Sequence, residues 1–377
     1  MNYFSFLLIL LFSFSFKRDE ADLEMMANNK LEFVSENLKN ILFQLKSGQK
    51  IDILHLGDSH VQIGEFSKGI LNGLMEKGIS CNKGWFLPSL IFTELYSNRE
   101  LKRIKGKFTA ENIRNNPHLL AGVSGRTFST LEENFSFKFS FDEKISSFQI
   151  LHEDFAFDKI SCSKGGKIIN EVNKTSNLLS VSFARKVKSC RIKFNTTNKE
   201  QKDFFAMKAI KHGEENTTSY SNFGVSGAQF SDFYYAMRIY DHIELLKPQL
   251  IIITLGTNDS YFKDLNKNTF PRKLTLFIRK IKEISPKTAL IFMTAPDTFY
   301  QNEKPSHLKF VNESIISVCS QEQVALWDWN KIMGGENSIH SFAQKKMVDS
   351  DLLHFNSAGY KFFGNLFIQA IFAESVN

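Results

Sequence analysis

The sequence predicts an α/β chain: a parallel sheet with helices on both faces, interrupted after its first strand–helix unit by an inserted β-rich domain. Three observations carry this. Short, almost wholly apolar runs in the second half, QLIIITL, ALIFMTA and QVALWDW, each stand next to a helical pattern, and such runs suit strands buried on both faces of a parallel sheet. A similar strand–turn–helix unit stands near the N-terminus. Between the two lies a stretch whose phenylalanines alternate with polar residues, the period of antiparallel strands.

Composition sets the bounds. The chain has 377 residues, a length that favours two domains over one, with 42% hydrophobic and 23% charged residues, so it is an ordinary globular sequence without the signature of disorder. Its 38 phenylalanines far outnumber 9 tyrosines and 3 tryptophans and read as core filling. The net charge of +7 is spread along the chain. No dense Lys/Arg block interleaved with aromatics points to nucleic acid, and no stable protein partner is predicted. Met1–Phe16 is one apolar run, too short for a comfortable bilayer span and fitting a secretory signal peptide, with an uncleaved anchor as the alternative, since no basic residue precedes it and no A-x-A follows. It predicts an exported protein, periplasmic or associated with the cell envelope. Cys81, Cys162, Cys190 and Cys319 have neither C-x-x-C nor zinc spacing. Cys162 and Cys190 share the middle region and could pair, or all four are thiols acting as small hydrophobes.

In order, residues 31–46 read as a helix from Leu31, Val34, Leu38, Leu42 and Leu45. Ile51–Leu56 is a strand ending at Gly57, and Phe66, Ile70, Leu71 and Leu74 form a helix stopping near Gly78. Residues 17–94 thus form the first part of the α/β domain and 95–211 the insert, a β-sandwich-like unit. In the insert Phe135, Phe137, Phe139 and Phe141, then Phe148 and Ile150, Val181 and Phe183, and Cys190, Ile192 and Phe194 alternate. Residues 212–377 resume the α/β pattern. A helix is predicted over Ser231–Leu246, then strand Gln249–Leu255 and a helix with Leu274, Phe277, Ile278, Ile281 and Ile284 on one face, closed by Pro286. Strand Ala289–Ala295, helix 307–320, strand Gln323–Trp329 and a last helix over Ser357–Phe372 complete the chain.

Active groups in parallel sheets collect at the carboxyl ends of strands. After the first strand comes Gly57-Asp58-Ser59-His60, a serine at a tight turn before a helix, where free backbone N–H groups can stabilise an oxyanion. After the strand near Tyr220 comes Gly224-Val225-Ser226-Gly227-Ala228. A near copy, Gly122-Val123-Ser124-Gly125, lies in the insert and is set aside because no strand–helix context surrounds it. After Gln249–Leu255 comes Gly256-Thr257-Asn258-Asp259, whose asparagine can donate to an oxyanion. Before the last helix comes Asp351-Leu352-Leu353-His354, spaced so that the carboxylate can hold the imidazole as a base for a serine.

As a set, these four blocks resemble blocks one, two, three and five of the SGNH, or GDSL-like, hydrolases. The resemblance implies a flavodoxin-like three-layer sheet and a serine esterase with Ser59 as nucleophile, His354 as base and Asp351 as its orienting carboxylate. Ser59, Gly227 and Asn258 would form the oxyanion hole, and no metal or cofactor would be needed. Gly84-Trp85-Phe86, Met333-Gly334-Gly335 and Asn337-Ser338-Ile339 are similar to segments of bacterial peptidoglycan O-acetylesterases, which also carry an inserted β-domain. That narrower resemblance implies removal of O-acetyl groups from a carbohydrate polymer, foremost cell wall peptidoglycan. The alternatives are an esterase or acetyltransferase of the same fold acting on another acylated glycan or lipid and, least of all, a non-catalytic carbohydrate-binding protein. His60 and Trp85 are the candidates for substrate contact. Asp58 is expected to fix the turn, and Trp327 and Trp329 to lie in the core.

Overall fold

Strands that bury both faces must sit inside a sheet. In the computed structural model, which describes residues 20–374 apart from 89, 92–100, 117–119, 154–156, 174–175, 212, 214–215 and 302, the apolar runs do so. The leader Met1–Phe16 lies outside the described residues. A seven-stranded sheet has the order Leu31–Glu32, Ala325–Trp327, Ala289–Met293, Leu250–Thr254, Asp52–Gly57, Thr218–Gly224 and Cys81–Lys83. Every pairing is parallel except that of the Leu31–Glu32 edge. Its five central strands run second, first, third, fourth, fifth in chain order, the flavodoxin-like arrangement, whose switch point lies at the first strand.

Alternation along the strands divides the core into two layers. Leu54, Leu56, Ile251, Ile253 and Phe292 pack with helices Ile239–Leu246, Thr269–Ile284 and Leu308–Gln321. Ile53, Ile252, Ile291, Met293 and Trp327 pack with helices Glu36–Lys46, Glu65–Glu76 and Ser357–Ala373. Two of these helices cross so closely that no side chain fits between them: a Cβ on Gly69 would stand 2.6 Å from the Lys361 carbonyl, and one on Gly364 2.5 Å from that of Phe66.

Three predicted elements differ. Residues 31–46 are not one helix. Leu31–Glu32 pairs with the sheet edge, and the helix begins at Glu36, where the Ser35 hydroxyl accepts the Leu38 N–H at 3.3 Å. The helix over Ser231–Leu246 is broken into Phe230–Tyr234 and Ile239–Leu246, because the Arg238 N–H turns outward to the Ala121 carbonyl of the insert at 2.8 Å. The last strand is only Ala325–Trp327. Trp329 opens a short helix capped by Asp328, and both tryptophans are core residues.

Between Leu101 and Lys211 a second, antiparallel sheet forms. Its two main strands, Asn134–Glu153 and Ser176–Asn195, are each 20 residues long. A straight strand of that length would span roughly 65 Å. Instead, Phe137 lies 5.6 Å from Phe204, which pairs with His152 at the other end of Phe137's own strand. Phe139 lies 4.3 Å from Phe148. The strands therefore fold back on themselves, with register shifts at Ser182, Val187 and Ser189 marking the bulges. The sandwich-like body is one hydrogen-bonded sheet bent around its phenylalanines. Cys162 and Cys190 are free thiols within it, near enough to perturb each other's ionisation, and the Cys162 thiol donates to the Ser163 carbonyl at 3.3 Å. Ile113, Ala121, Val123, Leu151, Phe205 and Ala206 of this body share a core with Phe223, Phe233 and Ile239 of the α/β domain, so the two are packed rather than tethered.

Candidate active site

Strand Asp52–Gly57 ends in a turn whose Asp58 carboxylate accepts the His60 N–H at 3.0 Å, capping the short helix Ser59–Gln62. Asp58 thus holds the turn, and Ser59 becomes the first helical residue. Its N–H has no intrahelical acceptor, and none elsewhere among the described residues.

The loop before the last helix approaches from the other end of the chain. The crossing at Gly69 and Gly364 seats helix Ser357–Ala373 against the helix that follows Ser59, and the Ser357 hydroxyl donates to Glu65 at 2.6 Å. His354 Nε2 then stands 2.9 Å from Ser59 Oγ, across 295 positions of sequence. His354 Nδ1 is 2.7 Å from one Asp351 oxygen. The other Asp351 oxygen accepts the backbone N–H groups of Leu353 at 3.0 Å and His354 at 2.9 Å. Burial works to raise the Asp351 pKa, but these three hydrogen bonds outweigh it and hold the carboxyl below its ordinary range. An ionised carboxylate on Nδ1 keeps the Nδ1–H tautomer and leaves Nε2 free to take a proton.

His60 is fully buried. Its Nδ1 meets the Tyr360 hydroxyl at 2.8 Å, and its ring packs 5.6 Å from that of His354 and 5.7 Å from Trp329. Burial, then the neighbouring His354, push its pKa down to about 3, so it is a neutral wall behind the His354 ring. Trp85 is buried in the core shared by the two domains. Its edge lines a cleft of about 610 Å³ together with Gln62, Arg126 and Asn222, and Ser59 is not part of that lining.

Gly227 and Asn258 follow the two strands that flank Asp52–Gly57, so three blocks meet at the switch point. The loop carrying Gly227 is pinned to the serine turn: Val225 N–H donates to the Gly57 carbonyl at 2.9 Å and Ser226 N–H to Gln62 Oε1 at 2.6 Å. Gly227 takes φ +75°, and its N–H has no acceptor among the described residues. Asn258 Nδ2 donates to the Ala228 carbonyl at 3.0 Å and makes a longer contact of 3.4 Å with Asp58. Beneath the site Asp58 and Asp259 are both buried, and burial first, aided by the carboxylate of Asp259 on Asp58 and of Asp232 on Asp259, pushes each up to about 7 against the backbone N–H groups that bond them. Met333 and Ile339 pack in the layer of Trp329, Phe342 and Phe355, and Asp297 receives the Ile339 N–H at 3.1 Å. The segment 333–339 thus backs the histidine loop. Among the described residues no three His, Cys, Asp or Glu side chains form a metal-ligand cluster.

Sequence reasoning passed over two residues at this site, Gln62 and Arg126. The discounted Gly-Val-Ser-Gly copy in the insert immediately precedes Arg126 and packs against the Gly227 loop. Its signal was a repeat of the Gly224–Gly227 residues outside the α/β pattern.

Residues 197–362 match the GDSL-like Lipase/Acylhydrolase family. No curated protein matches the sequence. Among solved structures, one titled as a peptidoglycan O-acetylesterase in action superposes with a TM-score of 0.75 at 17% identity, over 91% of this chain and 98% of that one. A lipase/acylhydrolase from Enterococcus faecalis aligns over 41% of this chain and 76% of that one, at 20% identity and a TM-score of 0.34. A GDSL-like lipase from Bacteroides thetaiotaomicron covers the same shares at 18% identity and a TM-score of 0.34.

Proposed function

We propose that this chain, whose residues 197–362 match the GDSL-like lipase/acylhydrolase family, is a carboxylic ester hydrolase that removes O-acetyl groups from a cell wall glycan, foremost peptidoglycan. The observation that carries the reading is the 2.9 Å contact of Ser59 Oγ with His354 Nε2, backed by Asp351 at 2.7 Å. His354 takes the hydroxyl proton as Ser59 Oγ attacks the acetyl carbonyl. The tetrahedral oxyanion is held by the N–H groups of Ser59 and Gly227, both without an acceptor among the described residues, and by the Asn258 amide as its 3.4 Å contact with Asp58 gives way. His354 then protonates the departing sugar hydroxyl, and water, activated by the same base, frees acetate and Ser59.

The glycan assignment draws on the likeness, over nearly the whole chain and the insert with it, to a structure titled as a peptidoglycan O-acetylesterase. Reading Met1–Phe16 as an export signal places the enzyme at the cell envelope, where such a polymer is found. Acetate release from O-acetylated peptidoglycan and from acetylated xylan, with Ser59→Ala as the blank, tests it. Peptidoglycan should be the faster substrate. Faster release from xylan removes the peptidoglycan assignment, and equal release by wild type and Ser59→Ala removes the nucleophile.

A further inference from the structure

The inserted domain sends a buried charged side chain, Arg126, into the α/β domain at the Gly227 loop. Arg126 opens the insert strand Arg126–Thr130 and is 1% exposed. One terminal nitrogen donates to the Gly224 carbonyl at 2.6 Å and the other to Gln62 Oε1 at 2.8 Å. That Gln62 oxygen also accepts the Ser226 N–H at 2.6 Å. Gln62 closes the short helix that begins with Ser59, and Gly224 and Ser226 bracket the loop that ends in Gly227. A single guanidinium therefore ties together the peptides on which both backbone donors of the oxyanion hole depend.

The approach is built for this contact. Gly125 lies so close to the oxyanion loop that a Cβ there would stand 2.7 Å from Val225 Cγ2. The Ser124 hydroxyl donates to the Arg126 carbonyl at 2.9 Å, and the Gly125 carbonyl accepts the Ile113 N–H at 3.0 Å. Arg114, from the neighbouring turn, runs on the other side of the loop, its Nε 3.5 Å from where a Gly227 Cβ would be. Burying a guanidinium costs free energy unless its N–H groups find acceptors. These acceptors sit on the two segments that carry Ser59 and Gly227.

We infer that Arg126 is a positioning residue for the hydrolysis, through which the inserted domain fixes the Gly227 loop against the Ser59 turn. This rests on the hydrolase reading above. Its planar fork reaches two acceptors at once, which a lysine ammonium on a flexible stem does less well. A displacement of about 1 Å in such a site can cost on the order of 10²-fold in rate.

The test compares wild type, Arg126→Met, Arg126→Lys, Gln62→Leu and Ser59→Ala in the full chain. Turnover of 4-nitrophenyl acetate is expressed per serine titrated with a fluorophosphonate, alongside inhibition by a trifluoromethyl ketone that forms a tetrahedral adduct. For Arg126→Met, kcat per titrated site should fall roughly 10- to 100-fold with KM unchanged. Affinity for the ketone should fall by the same factor, because only the tetrahedral state uses the oxyanion donors. Arg126→Lys should recover part of the loss, and Gln62→Leu should lose rate in the same direction. A purely structural arginine would lower the titratable fraction and the melting temperature but leave kcat per site intact, and that result overturns the proposal. If Arg126→Met does not fold, Gln62→Leu decides alone. A wild type whose turnover does not depend on Ser59 overturns the hydrolase reading instead, while Ser59-dependent turnover with unaltered Arg126 and Gln62 variants overturns only this inference.

Discussion

The parallel α/β domain and the inserted β-domain solve the burial problem in different ways. The α/β domain covers a sheet with helices on both faces, so its strands are short and apolar throughout, and its loops at one sheet edge are free to carry chemistry. The insert closes two 20-residue strands on themselves, around an interior made mainly of phenylalanine and aliphatic side chains. The lesson is that chemistry and packing separate by domain, except at the seam, where Arg126 crosses from one to the other.

The separation can be broken most sharply at Ser59. Ser59→Ala should lower kcat on an activated acetyl ester by on the order of 10⁴–10⁶ while the melting temperature stays near wild type; a large loss of stability would mean that the turn itself depends on the hydroxyl. Phe137, fully buried between Phe135, Phe194 and Phe204, should show the opposite. Phe137→Ala should cost about 3–5 kcal/mol of stability, read by denaturant unfolding, with turnover per titrated serine retained in the molecules that stay folded. Asn258→Ala should cost on the order of 10²–10³ in kcat, measured on the same small ester, and a loss confined to KM would remove its oxyanion role.

A gentler test concerns Asp259. Its folded pKa is about 7 against an ordinary 3.8, because it is buried. Between those values the folded state keeps a proton that the unfolded chain has released, so its contribution to stability is full below the unfolded pKa and is lost as pH rises through the window. Asp259→Asn should therefore melt close to wild type near about pH 4 and above it near about pH 8, by scanning calorimetry. A constant difference across the range would show that Asp259 does not titrate there. The smallest effect belongs to the insert: mild oxidation should join Cys162 and Cys190, seen as the loss of two titratable thiols and a modest rise in melting temperature, with ester turnover unchanged.

Much of this was legible because the α/β domain repeats a local rule. Each block, Gly57–His60, Gly224–Ala228, Gly256–Asp259 and Asp351–His354, stands directly after a strand or before the last helix, where sequence periodicity can locate it. The breaks came where another segment intervened. Arg238 turned its N–H to Ala121 and split a helix that periodicity alone joins, and Leu31 kept a helical spacing while pairing with Trp327 as a sheet edge. In the insert, alternation revealed strands but not that Phe135–Phe141 and Phe148–Ile150 belong to one bent strand.

By itself, the sequence determined which side chains could do the chemistry and on which kind of element each would sit, because hydrophobic period, capping and turn residues act over a few positions. Only the tertiary structure decided that His354 meets Ser59, that His60 is buried behind it, and that an arginine from the insert holds the Gly227 loop. Those outcomes depend on close packing between distant segments, at Gly69 on Gly364 and Gly125 on Val225, which no local pattern encodes.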